Sequence, residues 1–279
     1  MGNDSFTRST RALGRVPRGL PLADVNAEGS IRLKRFFRNR PWPPGRECFF
    51  TMATMIMNKE EINRAIYLDF ESEGEKRNGE QPPPAIGGTI VENVYTPTLL
   101  HPDLANAAEV RGWGHASLAE YLKAIHDQAT AENRKIVFFS STESTIFANH
   151  GLDISDSGFD LRTSAKQSKL YETVWDTFKD NVRRFRDPDT AQTTRNEIRT
   201  KSFGLLTLVA ADLGMPRPDS YGAGKTGARI RYALKQAGKK SAYGAWSAGG
   251  KTKLTQVVNH NEHDCKATRY VLEHLAANS

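Results

Sequence analysis

Residues 64–73 read RAIYLDFESE, and the character of this stretch decides the fold. Ile66, Tyr67 and Leu68 are apolar, β-branched or aromatic in succession, so both faces of a strand here must be buried, as in the centre of a sheet. Asp69 and Glu71 then end the apolar run. Working outward, AIGGTIVENVYTPTLL (85–100) predicts two further strands, and SLAEYLKAIHDQATAENR (117–134) a helix with Leu118, Tyr121, Leu122 and Ile125 on one stripe. KIVFFSS (135–141) reads as another buried strand. Helices are predicted around SKLYETVWDTFKDNVRRF (168–185), FGLLTLVAADLG (203–214) and HNEHDCKATRYVLEHL (260–275). Strands first, one helix, a strand, then mostly helices defines an α/β architecture, a mixed sheet covered by helices.

Composition narrows the class. The chain has 279 residues, 38% of them apolar, enough for one substantial core with an appendage. No run of 18 apolar residues suggests a membrane span, and the two cysteines, Cys48 and Cys265, provide neither a disulfide framework nor a four-thiolate zinc site. An intracellular protein without a membrane partner is the expectation. The net charge is +7, and residues 1 to 50 hold ten Lys/Arg against four Asp/Glu, so the basicity is assigned to this leader. Residues 1–57 mix Arg with Pro and Gly and lack apolar periodicity, which predicts a disordered basic leader, either a nucleic-acid arm or an over-called start ahead of Met52, Met55 or Met57. Residues 58–279 are expected to form the folded domain.

The candidate chemistry lies in acids. Side chains alternate along a strand, so Asp69 and Glu71 point to one face, roughly 7 Å apart along the backbone. Like charges this close are unfavourable without a cation or solvent, and a pair of divalent ions is one arrangement that uses them; solvated acids leaving a strand are the ordinary alternative. On the last helix, Asp264 shares a stripe with Ala267, Thr268, Val271 and Leu275, and His260 lies four residues earlier on the same face. A carboxylate aimed inward needs a partner; alternatively, Asp264 sits in the first turn and favours the helix dipole. Glu143 follows the strand KIVFFSS, where Ser140 and Glu143 also match a capping box, and Asp160 in SGFDLR competes for the same role as a third acid.

These motifs together resemble the ribonuclease H-like superfamily, specifically the DEDD-type 3′-5′ exonucleases and their YprB-like branch. The branch ends in Tyr-Asn-x-x-Asp-Cys-x-x-Thr; this chain carries His260, Asn261, Asp264, Cys265 and Thr268 at the matching places, with His where Tyr is usual. The family's Asp-x-Glu matches Asp69 and Glu71, its second-motif acid matches Glu143, and KSFGLLTLVAADLG (201–214) is similar to a helix that precedes the last motif. The resemblance covers residues 64 to 277. It implies a ribonuclease H-like mixed β-sheet flanked by helices, and a metal-dependent nuclease domain over 58–279. It further implies hydrolysis of phosphodiester bonds in DNA or RNA from a single-stranded 3′ end, with two Mg²⁺ or Mn²⁺ ions held by Asp69, Glu71, Glu143 and Asp264 and His260 as general base. A catalytically degenerate nucleic-acid-binding module of the same fold is the alternative.

Two other features carry less. YGAGKTG (221–227) is not a P-loop, because the first Gly of that motif falls on Asp219 and no apolar strand precedes it. Lys225, Arg229, Arg231, Lys235, Lys239 and Lys240, with Tyr221, Tyr232, Tyr243 and Trp246 nearby, form either a phosphate-contacting surface or a solvated helix face.

Overall fold

Six strands hydrogen-bond into one sheet around the stretch 66–72. In the computed structural model, which describes residues 57–74, 81–168, 172–201, 204–218 and 225–278, the elements run in chain order. They are α1 (Lys59–Arg64), β1 (Ile66–Ser72), β2 (Pro84–Val91), β3 (Val94–Leu99), α2 (Ala105–Arg111), β4 (Gly114–His115), α3 (Leu118–Ala131), β5 (Ile136–Phe138), α4 (Ser141–Asn149), β6 (Gly158–Asp160), α5 (Leu161–Gln167), α6 (Glu172–Arg186), α7 (Gln192–Lys201), α8 (Leu205–Asp212), α9 (Thr226–Lys239) and α10 (Ala248–Ala277). The expected leader lies outside the described residues except for Met57, which is buried in the core, so the folded part begins at least one residue earlier than expected. Leu170 and Tyr171 of the anticipated helix stripe, and Tyr221 to Gly224 of YGAGKTG, also lie outside them.

The sheet order is β4-β3-β2-β1-β5-β6. Only β2 runs against the others: β1 pairs antiparallel with β2 and parallel with β5, β3 pairs antiparallel with β2, and β4 and β6 extend the edges in parallel. Glu92 and Asn93 join β2 to β3 with φ of 50° and 70°, the two successive positive values that a tight hairpin turn with matching twist requires. Central β1 is covered on both sides, as its uninterrupted apolar run requires. Ile66 and Leu68 face a cluster with Tyr121, Leu122, Ile125 and Phe147 from α3 and α4, whereas Tyr67 faces one formed with Val209, Cys265, Val271 and Leu272 from α8 and α10. The mixed sheet flanked by helices agrees with the architecture expected from the sequence.

Helix α10 organises the second layer. Ser247 caps it, its Oγ accepting from Gly250 N at 3.1 Å, and the helix runs 30 residues, about 45 Å at 1.5 Å per residue. Its Leu254, Val257 and Val258 pack with Ile86, Leu99, Ile230 and Ala233, so β2, β3 and α9 share one core with it. The sequence pattern located only its second half, from His260 onward; the helix in fact starts at Ala248 and runs through Gly249 and Gly250, whose low helix propensity the packing of its apolar face outweighs. Asp264 therefore sits in the middle of a long helix, far from Ser247, and the first-turn reading of this residue is corrected: the N-terminus of its own helix is too far away to stabilise its charge. Leu254 is fully buried, so Leu254→Ala should destabilise the domain by about 2–5 kcal/mol, measured by urea unfolding, with a loss under about 1 kcal/mol contradicting this packing.

Candidate metal centre

The site forms where β1 passes beneath α10. Asp69 lies opposite Gly88 and Glu71 opposite Ile86 in the β1–β2 register, on the face that α10 covers. The side-chain amide of Asn261 donates to the Asp69 backbone carbonyl at 3.0 Å and to Asp69 Oδ2 at 2.8 Å. Tyr95 in turn lies within hydrogen-bond distance of Asn261 Oδ1 (2.9 Å) and of the Val258 carbonyl (3.1 Å), between which its one hydroxyl proton chooses. This close approach depends on Gly88, where an added Cβ would lie 1.8 Å from Asn261 Oδ1. Cys265 Sγ reaches the Gly88 carbonyl at 3.4 Å, and burial pushes its thiol pKa up, so it serves here as a neutral packing group.

Glu71, His260 and Asp264 meet at the open end of this contact. His260 Nε2 stands 3.3 Å from Glu71 Oε1 and 3.4 Å from Asp264 Oδ2, and the side chains of His260, Glu71 and Asp264 are only 8%, 14% and 15% exposed. One donor atom from each of the three lies within 4.8 Å of the other two. The i,i+4 spacing of His260 and Asp264 puts both on one helix face, as expected. Burial first, then the charges of Glu71, Asp264 and Glu143, raise the Asp69 carboxyl well above its ordinary pKa, against the Asn261 hydrogen bond. Glu71 is raised in the same way by burial and by Asp264 and Glu143. Without a cation, burial and repulsion thus favour the protonated forms of Asp69 and Glu71 relative to free carboxyl groups.

Glu143 is brought near but stands outside the three-residue group. It is buried in the first turn of α4, accepts from Ser140 Oγ at 2.6 Å, and lines an open groove of about 660 Å³ with Phe70, Ser72 and Pro84. Its carboxyl is pushed up to about 7, chiefly by burial and against the Ser140 hydrogen bond. Asp160, the competing third acid, is the N-cap of α5: its Oδ1 accepts from Arg162 N at 3.0 Å and Thr163 N at 3.3 Å, and Oδ2 from Thr163 Oγ1 at 2.9 Å. Glu143 is the one of the two whose charge acts on Asp69 and Glu71. Asn261 was not assigned a role from the sequence; its position one turn before Cys265 on the buried stripe was the available signal. His263, also buried, has its pKa lowered by burial foremost.

The donor chemistry fits a divalent cation. Carboxylate oxygens suit Mg²⁺ and Mn²⁺, and one imidazole shifts the preference of the Glu71–His260–Asp264 set toward Mn²⁺ or a later transition metal. The ring of His260 approaches both Glu71 and Asp264, and an imidazole is a group that a cation can use as a ligand. No family model, curated protein or solved structure matches this chain.

The raised Glu143 pKa fixes a sign for the apo protein. Between the unfolded value of 4.5 and about 7 the native state holds a proton that the unfolded chain has lost, so stability from this group is present below that window and is lost as pH rises through it. Thermal melts in EDTA should show the midpoint falling from pH 4.5 to 7, less steeply in Glu143→Gln. An identical slope in the variant would contradict the buried, proton-holding state.

Proposed function

We propose that this chain is a divalent-metal-dependent nuclease that hydrolyses phosphodiester bonds of DNA or RNA, working from a single-stranded 3′ end. The observation that carries the reading is the convergence of Glu71, His260 and Asp264 donor atoms within 4.8 Å, beside an Asp69 fixed by Asn261, at the end of a central strand. Clustered, partly buried carboxylates with raised pKa values are costly unless a cation or a proton compensates them, and a compensating divalent cation is suited to phosphoryl chemistry. The mixed sheet flanked by helices and the order of Asp69, Glu71, Glu143 and Asp264 along the chain support the resemblance to DEDD-type exonucleases of the ribonuclease H-like superfamily.

In this reading Asp69, Glu71, Glu143 and Asp264 would hold two Mg²⁺ or Mn²⁺ ions. Bound divalent ions supply a water of lowered pKa and neutralise charge on the phosphoryl oxygens. The protein supplies the remainder. Asn261 and Tyr95 hold Asp69 in one rotamer across Gly88, so the carboxylates need little reorganisation before reaction. His260 Nε2, facing Glu71 and Asp264, accepts the proton of the attacking water. The product is a nucleoside 5′-monophosphate.

A second reading, a catalytically degenerate binding module, is favoured by one observation. His260 Nε2 stands within 3.4 Å of a carboxylate oxygen of both Glu71 and Asp264, a geometry in which the imidazole itself can bridge the two acids without a metal ion. Digestion of 5′-labelled DNA and RNA oligonucleotides in Mg²⁺, Mn²⁺ or EDTA separates the two. The nuclease reading expects a metal-dependent ladder shrinking from the 3′ end, abolished in Asp69→Asn while the apo stability of that variant is preserved or raised. Uncut substrate in every metal, or full activity in Asp69→Asn, would sink it.

His260 also separates base from ligand. As base, His260→Ala should slow cleavage by roughly 10²–10⁴ while Mn²⁺ affinity persists. Loss of Mn²⁺ affinity in the same variant would make the imidazole a metal ligand instead.

A further inference from the structure

The folded region carries a charge asymmetry that net charge conceals. From Ser220 to Asn261 the chain has eight Lys/Arg and no Asp or Glu. The whole chain is +7 and its first 50 residues account for +6, so with these eight cations set apart the rest of the chain beyond residue 50 is net acidic. The assignment of the basicity to the leader alone is thereby incomplete.

Helix α9 and the start of α10 carry most of these charges. Ile230, Ala233 and Ala237 bury one face of α9, while Lys235 and Lys239 are exposed and Arg229 and Arg231 partly so on the others. Tyr232 lies among them, with Lys253 Nζ from α10 4.0 Å from its ring centroid. The helix is also docked to the strand that bears the acids. Gly227 packs so tightly on β1's continuation that an added Cβ would lie 2.3 Å from the Glu73 carbonyl, and Arg231 Nη1 donates to that same carbonyl. The N-terminal end of the basic helix thus abuts the chain two residues beyond Glu71.

We propose that the surface formed by Arg229, Tyr232, Lys235, Lys239 and Lys253 is the track for a single strand of nucleic acid, whose phosphates lie along α9 and whose end enters the carboxylate cluster at the N-terminal end of that helix. The inference rests on the nuclease reading for the fate of that end, but not for binding itself. Its chemistry is that of general single-strand binding: ammonium and guanidinium groups spaced along a backbone, with an aromatic ring on which a base stacks. Fourteen residues of α9 span about 21 Å, length for about six stacked nucleotides at 3.4 Å each.

The test is anisotropy of 5′-labelled single-stranded DNA and RNA of about twelve nucleotides, titrated in EDTA over a salt series with the full chain. Lys235→Gln, Lys239→Gln and Lys253→Gln combined should raise Kd at least about tenfold and reduce the slope of log K against log salt by about 2, at about 0.7 per phosphate. Tyr232→Ala should weaken binding about tenfold with the slope unchanged. Lys59→Gln, Lys123→Gln and Lys179→Gln combined, on α1, α3 and α6, should bind as wild type. Equal losses in both triple variants, wild-type binding by the α9 variant, or binding to anionic vesicles in place of oligonucleotides overturns the proposal. The two readings fail separately. Binding lost in the α9 variant without cleavage by the wild type in any metal leaves the track and removes the nuclease, whereas metal-dependent cleavage with unaltered binding in the α9 variant leaves the nuclease and removes the track.

Discussion

The hydrogen bonds from the Asn261 amide to Asp69, made across the bare backbone of Gly88, set the position of everything around the acids. They fix α10 at one height over β1, and that height puts His260 and Asp264 level with Glu71. A side chain at position 88 would displace the amide and with it the helix face. The same contact fixes the position of one carboxylate and partly offsets the burial and repulsion that raise its pKa, so the site is clamped at one end and left crowded with acids at the other.

The crowded end links protons, cations and folding. Burial raises the carboxyls of Asp69, Glu71 and Glu143, and neighbouring carboxylates raise Asp69 and Glu71 further, so protonation of these acids is favoured while no cation is bound. A divalent ion bound here would displace protons, and its affinity would rise with pH for that reason. On the other side of β1's end, α9 contributes cations to the surface and none of its own acids to the cluster. Acid and base are thus segregated over the length of one helix.

Much of this was legible in the sequence because local pattern and tertiary role coincide in β1 and α10. The unbroken apolar run Ile66–Leu68 can only be satisfied by burial on both faces, and the stripe through His260, Asp264, Thr268 and Val271 could face only the sheet. Asp69 and Glu71 share a face through strand alternation alone. Other features needed contacts distant in sequence. That Asp160 caps α5, while the buried Glu143 lies close enough for its charge to act on Asp69 and Glu71, could not be read from spacing. The first turns of α10 run through Gly249 and Gly250, which local propensity opposes and core packing outweighs. Helices α1, α5 and α7 and the short strands β4 and β6 carry too few apolar positions to announce themselves. The docking of α9 was invisible because Gly227 meets Glu73 only after the chain has folded back across more than half the domain.

The most direct test of the central claim, that the carboxylates at the end of β1 form a divalent-cation site, is calorimetric titration of the apo protein with Mn²⁺ near neutral pH in two buffers of different ionisation enthalpy. The account predicts saturable binding with net proton release, both strongly reduced in Glu71→Gln and Asp264→Asn. Absence of saturable binding, or binding with the same affinity and proton count in those variants, would contradict it.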